Sequence, residues 1–214
     1  MSISIEEAKT WYEEADEVHN FDHVLRVKVM AERIGKAEGA DLEIIEAAAL
    51  LHDSRGAAPG QDGMGRMEHH LTSAIFAGEV LAAKGWEPER VEAVQHCIRA
   101  HRFRSKLERP ESLEAKCLYD ADKLDVLGAI GVARTIAYAV LANQPILAEP
   151  SQKFLETGEK EAGEQHSSYH EYLFKLRKVK DKLFTASGKA IAEERDVFLR
   201  EFYERLRDEY KGLR

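Results

Sequence analysis

The stretch "AALLHDSRG" (residues 48–56) has the small and aliphatic side chains of a buried helix, yet its apolar run ends on His52 and Asp53. Ile45 and Ala49 precede His52 on one helical face, so the imidazole takes the place of the next apolar residue. An ionised carboxylate in an apolar setting costs several kcal/mol unless it has a partner. The pair therefore indicates a polar site at the end of a core helix.

The rest of the chain carries the 3.6-residue period of amphipathic helices and shows no convincing run of alternating β residues. Asp41 is a suitable N-cap for the helix that leads to His52, and Pro88 stands at a good first-turn position. A further helical region begins near Ser112 and continues or restarts through Tyr138. The sequence therefore predicts an all-α protein.

The length of 214 residues and a hydrophobic content of 44% suit a single domain. We expect one domain over residues 1–214, with its core at about 18–140. Residues 143–166 are polar and contain two prolines, which predicts a long loop or lid, and 167–214 predict C-terminal helices that pack on the core. The final helix carries an apolar stripe at Val197, Phe198, Glu201, Phe202 and Leu206.

The composition excludes several classes of partner. A formal net charge of -8 argues against a nucleic-acid-coating surface and against a polybasic membrane contact. The longest apolar stretches are far too short for a membrane span, and the first residues lack a signal-peptide pattern. Cys97 and Cys117 form no CxxC pair, so we expect reduced packing residues in a cytoplasmic protein. A homodimer built on the C-terminal stripe stays open.

Two more polar residues stand in apolar phase. His23 heads the apolar stripe of an early helix, and Asp122 lies in the apolar phase of the helix that starts near Ser112. One divalent cation would neutralise these two residues together with His52 and Asp53. This mixed N/O set suits manganese, iron, cobalt, nickel or magnesium better than a structural zinc site built on thiolates. The spacing alone leaves a metal site and a set of ordinary core histidines and helix caps both open.

Several segments resemble the HD-domain superfamily of metal-dependent phosphohydrolases. "DHVLRV" with His23, "ALLHD" with His52 and Asp53, and "YDADKLD" with Asp122 match its ordered H…HD…D signature. The tail "HEYLFKLRKVKDKLFTASGKAIAEER" is similar to that of the small stand-alone branch, some of whose members cleave nucleoside triphosphates, and the resemblance runs from about Val18 to the C-terminus. It implies a helical bundle around a metal, with the four signature residues as ligands.

The resemblance also implies substrate contacts. His69 and His101, in "EHHLTSA" and "VQHCIRAHRFR", match positions at which relatives hold a second metal or a phosphate. We favour one metal, with both histidines contacting substrate or solvent. Lys123 and Asp125 match positions that often touch substrate in nucleotide-cleaving relatives, and Lys123 would meet a phosphate as a point charge. Arg102 either clamps a phosphate or lies on the exposed surface.

One position departs from the family pattern. Some relatives place an acidic residue shortly after the HD pair to orient the attacking water. This chain has Ser54, Arg55 and Gly56 there, so Glu68 or a histidine would have to substitute.

The sequence thus predicts a hydrolase that acts on a phosphate ester or anhydride, with a divalent metal and with Asp53 as a catalytic residue. The expected substrate is a small phosphorylated molecule, above all a nucleoside mono- or triphosphate. Two alternatives are an HD-fold oxygenase that uses two irons and extra histidine ligands, and a catalytically weak module that senses a nucleotide.

Overall fold

The computed structural model describes residues 2–12, 21–55, 65–103 and 108–214, without the side chains of 65–68. No strand occurs in these ranges, which confirms the all-α prediction. The α-helices are α1 (Ile5–Lys9), α2 (Phe21–Glu38), α3 (Leu42–Leu51), α4 (Gly65–Ala83), α5 (Pro88–Ala100), α6 (Leu113–Leu124), α7 (Gly128–Leu141), α8 (Gln152–Thr157), α9 (Ser168–Phe174) and α10 (Ala186–Tyr210). Short 3-10 helices span Leu176–Lys178 and Lys180–Lys182. Among the described helices none could cross a membrane alone, and only the bent pair of α6 and α7 has the required length and composition together.

The chain forms two compact units. The first contains Met1–Asp122 and Phe184–Gly188, and the second contains Lys123–Leu183 and Lys189–Arg214. In the first unit α3 packs against α1, α2, α4 and α5. Because its buried residues lie on every side of its axis, α3 is the core helix of this unit.

The sequence around α3 explains its position. Asp41 caps the helix, since its carboxylate accepts the backbone N–H groups of Glu43 and Ile44. On α2, a Cβ added to Gly35 would lie 2.4 Å from Cδ1 of Ile45. The missing side chain therefore lets the antiparallel helices α2 and α3 approach closely, and these helices bring their histidines to the site.

Both cysteines lie in the first unit, buried and without a disulfide. Burial raises the pKa of both thiols, that of Cys117 to about 12. Buried, unpaired thiols with raised pKa values agree with the prediction that both cysteines serve as packing residues.

A buried carboxylate on α6 anchors a distant part of the chain. Asp120 Oδ1 accepts the N–H of Phe184 at 2.9 Å, and Oδ2 accepts the N–H and the hydroxyl of Thr185 at 2.8 and 2.6 Å. A Cβ on Gly188 would lie 2.5 Å from this Oδ2, so the backbone approaches the carboxylate closely. The segment 184–188 is thereby fixed to α6, two residues before Asp122.

We expect Asp120→Asn to lower the free energy of unfolding by about 2–3 kcal/mol, because an amide nitrogen would then face N–H donors and leave one of them unsatisfied. Urea denaturation at pH 7 measures this loss. The control is Asp181→Asn, since Asp181 is exposed and its change should stay within about 0.5 kcal/mol. Equal losses in the two variants would contradict the anchoring role.

The second unit has its own packed core. Here α9 packs on α7, and the rings of Tyr172 and Tyr203 stack with their centroids 4.6 Å apart. Nη1 of Arg195 on α10 donates a hydrogen bond of 2.6 Å to the carbonyl of Leu124. The tyrosine stack joins α10 to α9, and the hydrogen bond of Arg195 joins α10 to the end of α6 within this unit.

The prediction of a loop over residues 143–166 is wrong in one respect, because this segment contains the short helix α8. Ser151 caps this helix through a hydrogen bond of 3.0 Å from the N–H of Phe154, and Gly158 ends it with a φ of 77°. A helix of six residues is too short to show a hydrophobic period, so only its caps could have revealed it.

The apolar stripe of the last helix is not the face that this chain buries most fully. Val197 and Phe198 are 42% and 46% exposed, whereas Leu199 and Tyr203 are fully buried. The buried face is therefore rotated from the stripe, and the homodimer on the stripe stays a prediction. A tyrosine and a buried acid at Asp196 contribute to the buried face, and these residues do not stand out as apolar in a hydropathy pattern.

Candidate metal centre

The four residues predicted as ligands come together in the first unit. His23 lies in the first turn of α2, His52 and Asp53 follow the last residue of α3, and Asp122 lies near the end of α6. Nε2 of His23 is 3.4 Å from Nε2 of His52 and 3.4 Å from Oδ1 of Asp122. Oδ2 of Asp53 is 3.8 Å from Nε2 of His23 and 3.5 Å from Nε2 of His52.

The other oxygen of Asp53 faces a second pair of histidines. Oδ1 lies 3.1 Å from Nε2 of His69 on α4 and 3.4 Å from Nε2 of His101, which directly follows α5. Within the described part of the chain, two sets of three residues therefore offer ligand atoms within 4.8 Å of one another, His23–His52–Asp53 and Asp53–His69–His101. Asp53 is common to both.

Helix ends orient two of these rings. Nδ1 of His52 lies 2.7 Å from the carbonyl of Ala49, and Nδ1 of His101 lies 2.6 Å from the carbonyl of Ile98. A carbonyl only accepts, so each Nδ1 carries the proton and each neutral ring keeps the lone pair of Nε2. Metal-binding histidines are commonly held in this way by the hydrogen bond of their other nitrogen.

The electrostatics of the cluster favour a cation. Burial lowers the pKa of His101 to about 4, against the opposite pull of the Asp53 carboxylate. Burial alone would raise the pKa of Asp53, but its electrostatic interaction with His52 and its contacts with His101 and His69 hold that pKa well below its usual range. A neutral imidazole beside an ionised carboxylate is the protonation state in which both can bind a metal.

Asp53 also shows that the donor set fits a divalent cation. Its Oδ1 is buried and receives no hydrogen bond of good geometry from the described residues. A buried acceptor without a partner is costly, and a bound cation would supply the partner. The imidazole and carboxylate donors suit manganese, iron, cobalt, nickel or magnesium, as the sequence predicts.

The remaining predicted substrate contacts divide between the units. Lys123 and Asp125 belong to the second unit, where buried Asp125 forms an ion pair with Arg134. Lys123 is half-buried and follows Asp122 directly in the chain. The substrate contacts of Lys123 and Asp125 therefore stay predictions.

In the first unit Arg102 donates from Nη1 to Nδ1 of His69 at 3.0 Å. The predicted phosphate clamp thus contacts a site histidine directly, which the sequence did not reveal.

The position after the HD pair carries a packed cation instead of an acid. The guanidinium of Arg55 lies 3.4 Å above the ring of Phe76, and the hydroxyl of Ser54 donates to the carbonyl of Leu51 at 2.9 Å. Gly56 and the side chain of Glu68 lie outside the described residues. Neither Ser54 nor Arg55 can replace the water-orienting acid of the relatives.

Sequence reasoning missed Tyr12 as a neighbour of the site. Its buried hydroxyl donates to the carbonyl of Leu50 at 2.9 Å. Burial, and then the negative charge of Asp53, raise the pKa of Tyr12 well above its usual value. Tyr12 therefore stays protonated and supports the last turn of α3. In the sequence Tyr12 stands about one helical turn after Ala8, a spacing that indicates core packing.

The HD domain family model matches residues 20–127, slightly more than half of the chain. This stretch includes all four predicted ligands together with both further histidines. The protein therefore belongs to the HD-domain family, and the predicted family and fold are confirmed.

The relatives are small proteins that match almost end to end. The uncharacterized protein YpgQ of Bacillus subtilis (strain 168) is 30% identical over 218 residues, which cover 97% of this chain and 94% of that protein. The crystal structure of Bacillus subtilis YpgQ in complex with ADP has a TM-score of 0.72 at 27% identity and covers 99% of this chain and 100% of that one. An HD-superfamily hydrolase from Bacillus thuringiensis has a TM-score of 0.72 at 28% identity, with coverage of 97% and 94%. The chain thus has the fold of HD-superfamily hydrolases.

Proposed function

We propose that this protein is a metal-dependent phosphohydrolase that cleaves a phosphate ester or anhydride bond of a nucleotide. The observation that carries the proposal is the convergence of His23, His52, Asp53 and Asp122 within an HD fold. The complex of the relative YpgQ with ADP supports a nucleotide as ligand. The expected cofactor is a divalent ion of manganese, magnesium, cobalt, nickel or iron.

His23, His52, Asp53 and Asp122 would hold the metal, which would lower the pKa of a bound water and polarise a phosphoryl oxygen. Asp53 has a further role, because its Oδ2 lies near His23 and His52, whereas its Oδ1 faces His69 and His101 and receives no hydrogen bond of good geometry from the described residues. This oxygen is placed to accept a hydrogen bond or a proton from the attacking water. Asp53 would thus supply the acceptor that the position after the HD pair lacks.

A hydrogen-bond donor lies beside this acceptor. Nε2 of His69 approaches Oδ1 of Asp53 to 3.1 Å, so a phosphoryl group bound near Asp53 would meet this nitrogen, whereas the neutral ring of His101 presents the lone pair of Nε2 at 3.4 Å. Hydrogen-bond donors aimed at developing negative charge stabilise a phosphoryl-transfer transition state. Lys123 is proposed to add a positive charge and Asp125 to contact the substrate.

The oxygenase alternative has one observation in its favour. The second ligand set of Asp53, His69 and His101 has the composition that a second iron would require. The hydrolase proposal is preferred because structures similar to this one over nearly their whole length include an HD-superfamily hydrolase and a complex with ADP.

A metal-supplemented phosphatase screen tests the proposal. The purified protein is incubated with nucleoside mono-, di- and triphosphates in the presence of Mn²⁺, Mg²⁺, Co²⁺, Ni²⁺ or Fe²⁺. Released phosphate is measured with and without added inorganic pyrophosphatase, so that phosphate and pyrophosphate release are separated. We expect turnover of at least one nucleotide with at least one of these ions and its loss in EDTA.

Two results would contradict hydrolysis. Binding of ADP by calorimetry without turnover under any of the five ions would support the sensing alternative. Two tightly held irons by elemental analysis, together with a visible absorbance band, would support the oxygenase.

A further inference from the structure

The site histidines differ in which nitrogen carries the proton. His52 and His101 each place Nδ1 against a backbone carbonyl, at 2.7 and 2.6 Å. Both rings therefore carry the proton on Nδ1 and present the lone pair of Nε2 to the cluster. This is the tautomer that a histidine needs to bind a metal through Nε2.

His69 has the opposite arrangement. Its Nδ1 lies 3.0 Å from Nη1 of Arg102, and a guanidinium is always charged and only donates hydrogen bonds. Nδ1 of His69 must therefore be the acceptor, and the proton of the neutral ring is on Nε2. That nitrogen is the one that lies 3.1 Å from Oδ1 of Asp53.

We infer that Arg102 is a positioning residue that fixes His69 in the Nε2–H tautomer, so that His69 is a hydrogen-bond donor in the site and not a ligand of a second metal. Metal binding through Nε2 would move the proton to Nδ1, where it would face another N–H donor. The ligand set Asp53–His69–His101 then loses one of its three members.

His69 and His101, which match equivalent positions in the sequence, thus differ in their ability to bind a metal. His101 has a carbonyl behind its ring and remains able to bind a metal, whereas His69 has a cation behind its ring. The role of His69 as a donor to a phosphoryl oxygen rests on the proposed function. The tautomer of His69 and its exclusion from metal binding are independent of the proposed function.

Nuclear magnetic resonance measures the tautomer directly. In protein with ¹⁵N-labelled histidine, long-range ¹H–¹⁵N correlations distinguish Nδ1–H from Nε2–H rings. The chain has nine histidines, so the signals of His69 are assigned by their loss in His69→Gln. We expect the Nε2–H form for His69 and the Nδ1–H form for His52 and His101, without metal and with diamagnetic Mg²⁺. An Nδ1–H form of His69 in the wild-type protein would overturn the inference.

Substitution of Arg102 tests its role. Arg102→Met should shift His69 toward the Nδ1–H tautomer, and Arg102→Lys, which keeps a donor, should restore the Nε2–H form. The control is Arg99→Met in the last turn of α5, because the guanidinium of Arg99 pairs with Glu92 and Glu108. An unchanged His69 spectrum in Arg102→Met would show that Arg102 does not set the tautomer.

Metal content provides a measurement that does not depend on activity. After saturation with Mn²⁺ alone and removal of the excess, elemental analysis should find the same number of ions per chain in the wild type and in His69→Gln. His52→Gln is the comparison that should lose metal. A fall of one ion per chain in His69→Gln would overturn the inference.

Measurement of kcat tests whether His69 donates a hydrogen bond to the substrate. If a nucleotide is cleaved, His69→Ala should lower kcat by about 100–1,000-fold, the usual effect of removing one transition-state donor. Arg102→Met should lower kcat less, and Arg102→Lys should recover most of the loss. Wild-type kcat in His69→Ala would overturn the donor role. If no nucleotide is cleaved, the proposed function fails, and the spectra and metal content still decide the inference.

Discussion

Replacing Asp53 with alanine should reduce metal-dependent phosphate release by about 1,000-fold or more, because in the proposed mechanism this carboxylate would both bind the metal and accept a hydrogen bond from the attacking water. Asp53 lies after the last residue of α3 and its C-cap, so its side chain is not needed to form the helix. The helical circular dichroism signal of Asp53→Ala should therefore stay close to that of the wild type. Initial rates with the best nucleotide from the screen measure the effect.

The matched control for this loss is Asp181→Ala. Asp181 is exposed in the second unit, so its removal should leave both the rate and the dichroism signal unchanged. Full metal-dependent release by Asp53→Ala would end the proposed mechanism, since Asp53 is the carboxylate placed to contact both pairs of site histidines.

Metal binding should also stabilise the fold strongly. An ion that binds only the native state at 100 times its Kd adds about 2.7 kcal/mol to the free energy of unfolding. For a chain of this size that corresponds to a rise in Tm of about 5–10 °C. Thermal unfolding followed by circular dichroism with Mn²⁺ and with EDTA measures the difference.

His52→Gln supplies the test of where the ion binds. This fully buried ring presents Nε2 to the cluster, so the variant should show no rise in Tm with Mn²⁺, whereas Asp181→Ala should show the full rise. A rise of wild-type size in His52→Gln would place the stabilising ion elsewhere in the protein.

The sequence contained enough information to find the four residues of the centre. Each of His23, His52 and Asp122 interrupts the apolar face of a helix, and Asp53 adjoins one of them. Such interruptions are visible because helical periodicity determines which residues face inward. Their convergence within hydrogen-bonding range agrees with this interpretation. Their binding of a metal remains to be tested.

Other features depend on contacts that no local pattern encodes. Asp120 is fully buried and accepts the N–H groups of Phe184 and Thr185, which lie 64 and 65 residues later in the chain. The direction of the Arg102 side chain toward His69 is set by the packing of α4 against the end of α5. Periodicity reports which face of a helix is buried, but not which distant segment covers it.

The anchoring of segment 184–188 on Asp120 has a consequence for synthesis of the protein. Asp120 is synthesised 64 residues before Phe184, whose N–H is the first backbone donor to its carboxylate. At translation speeds of about 5–20 residues per second, the nascent chain carries an incomplete first unit for about 3–13 s. A fragment that ended at residue 127, where the HD match ends, would keep this gap permanently. The first unit, which contains the candidate metal centre, can therefore be completed only after the intervening 61 residues of Lys123–Leu183 have been made.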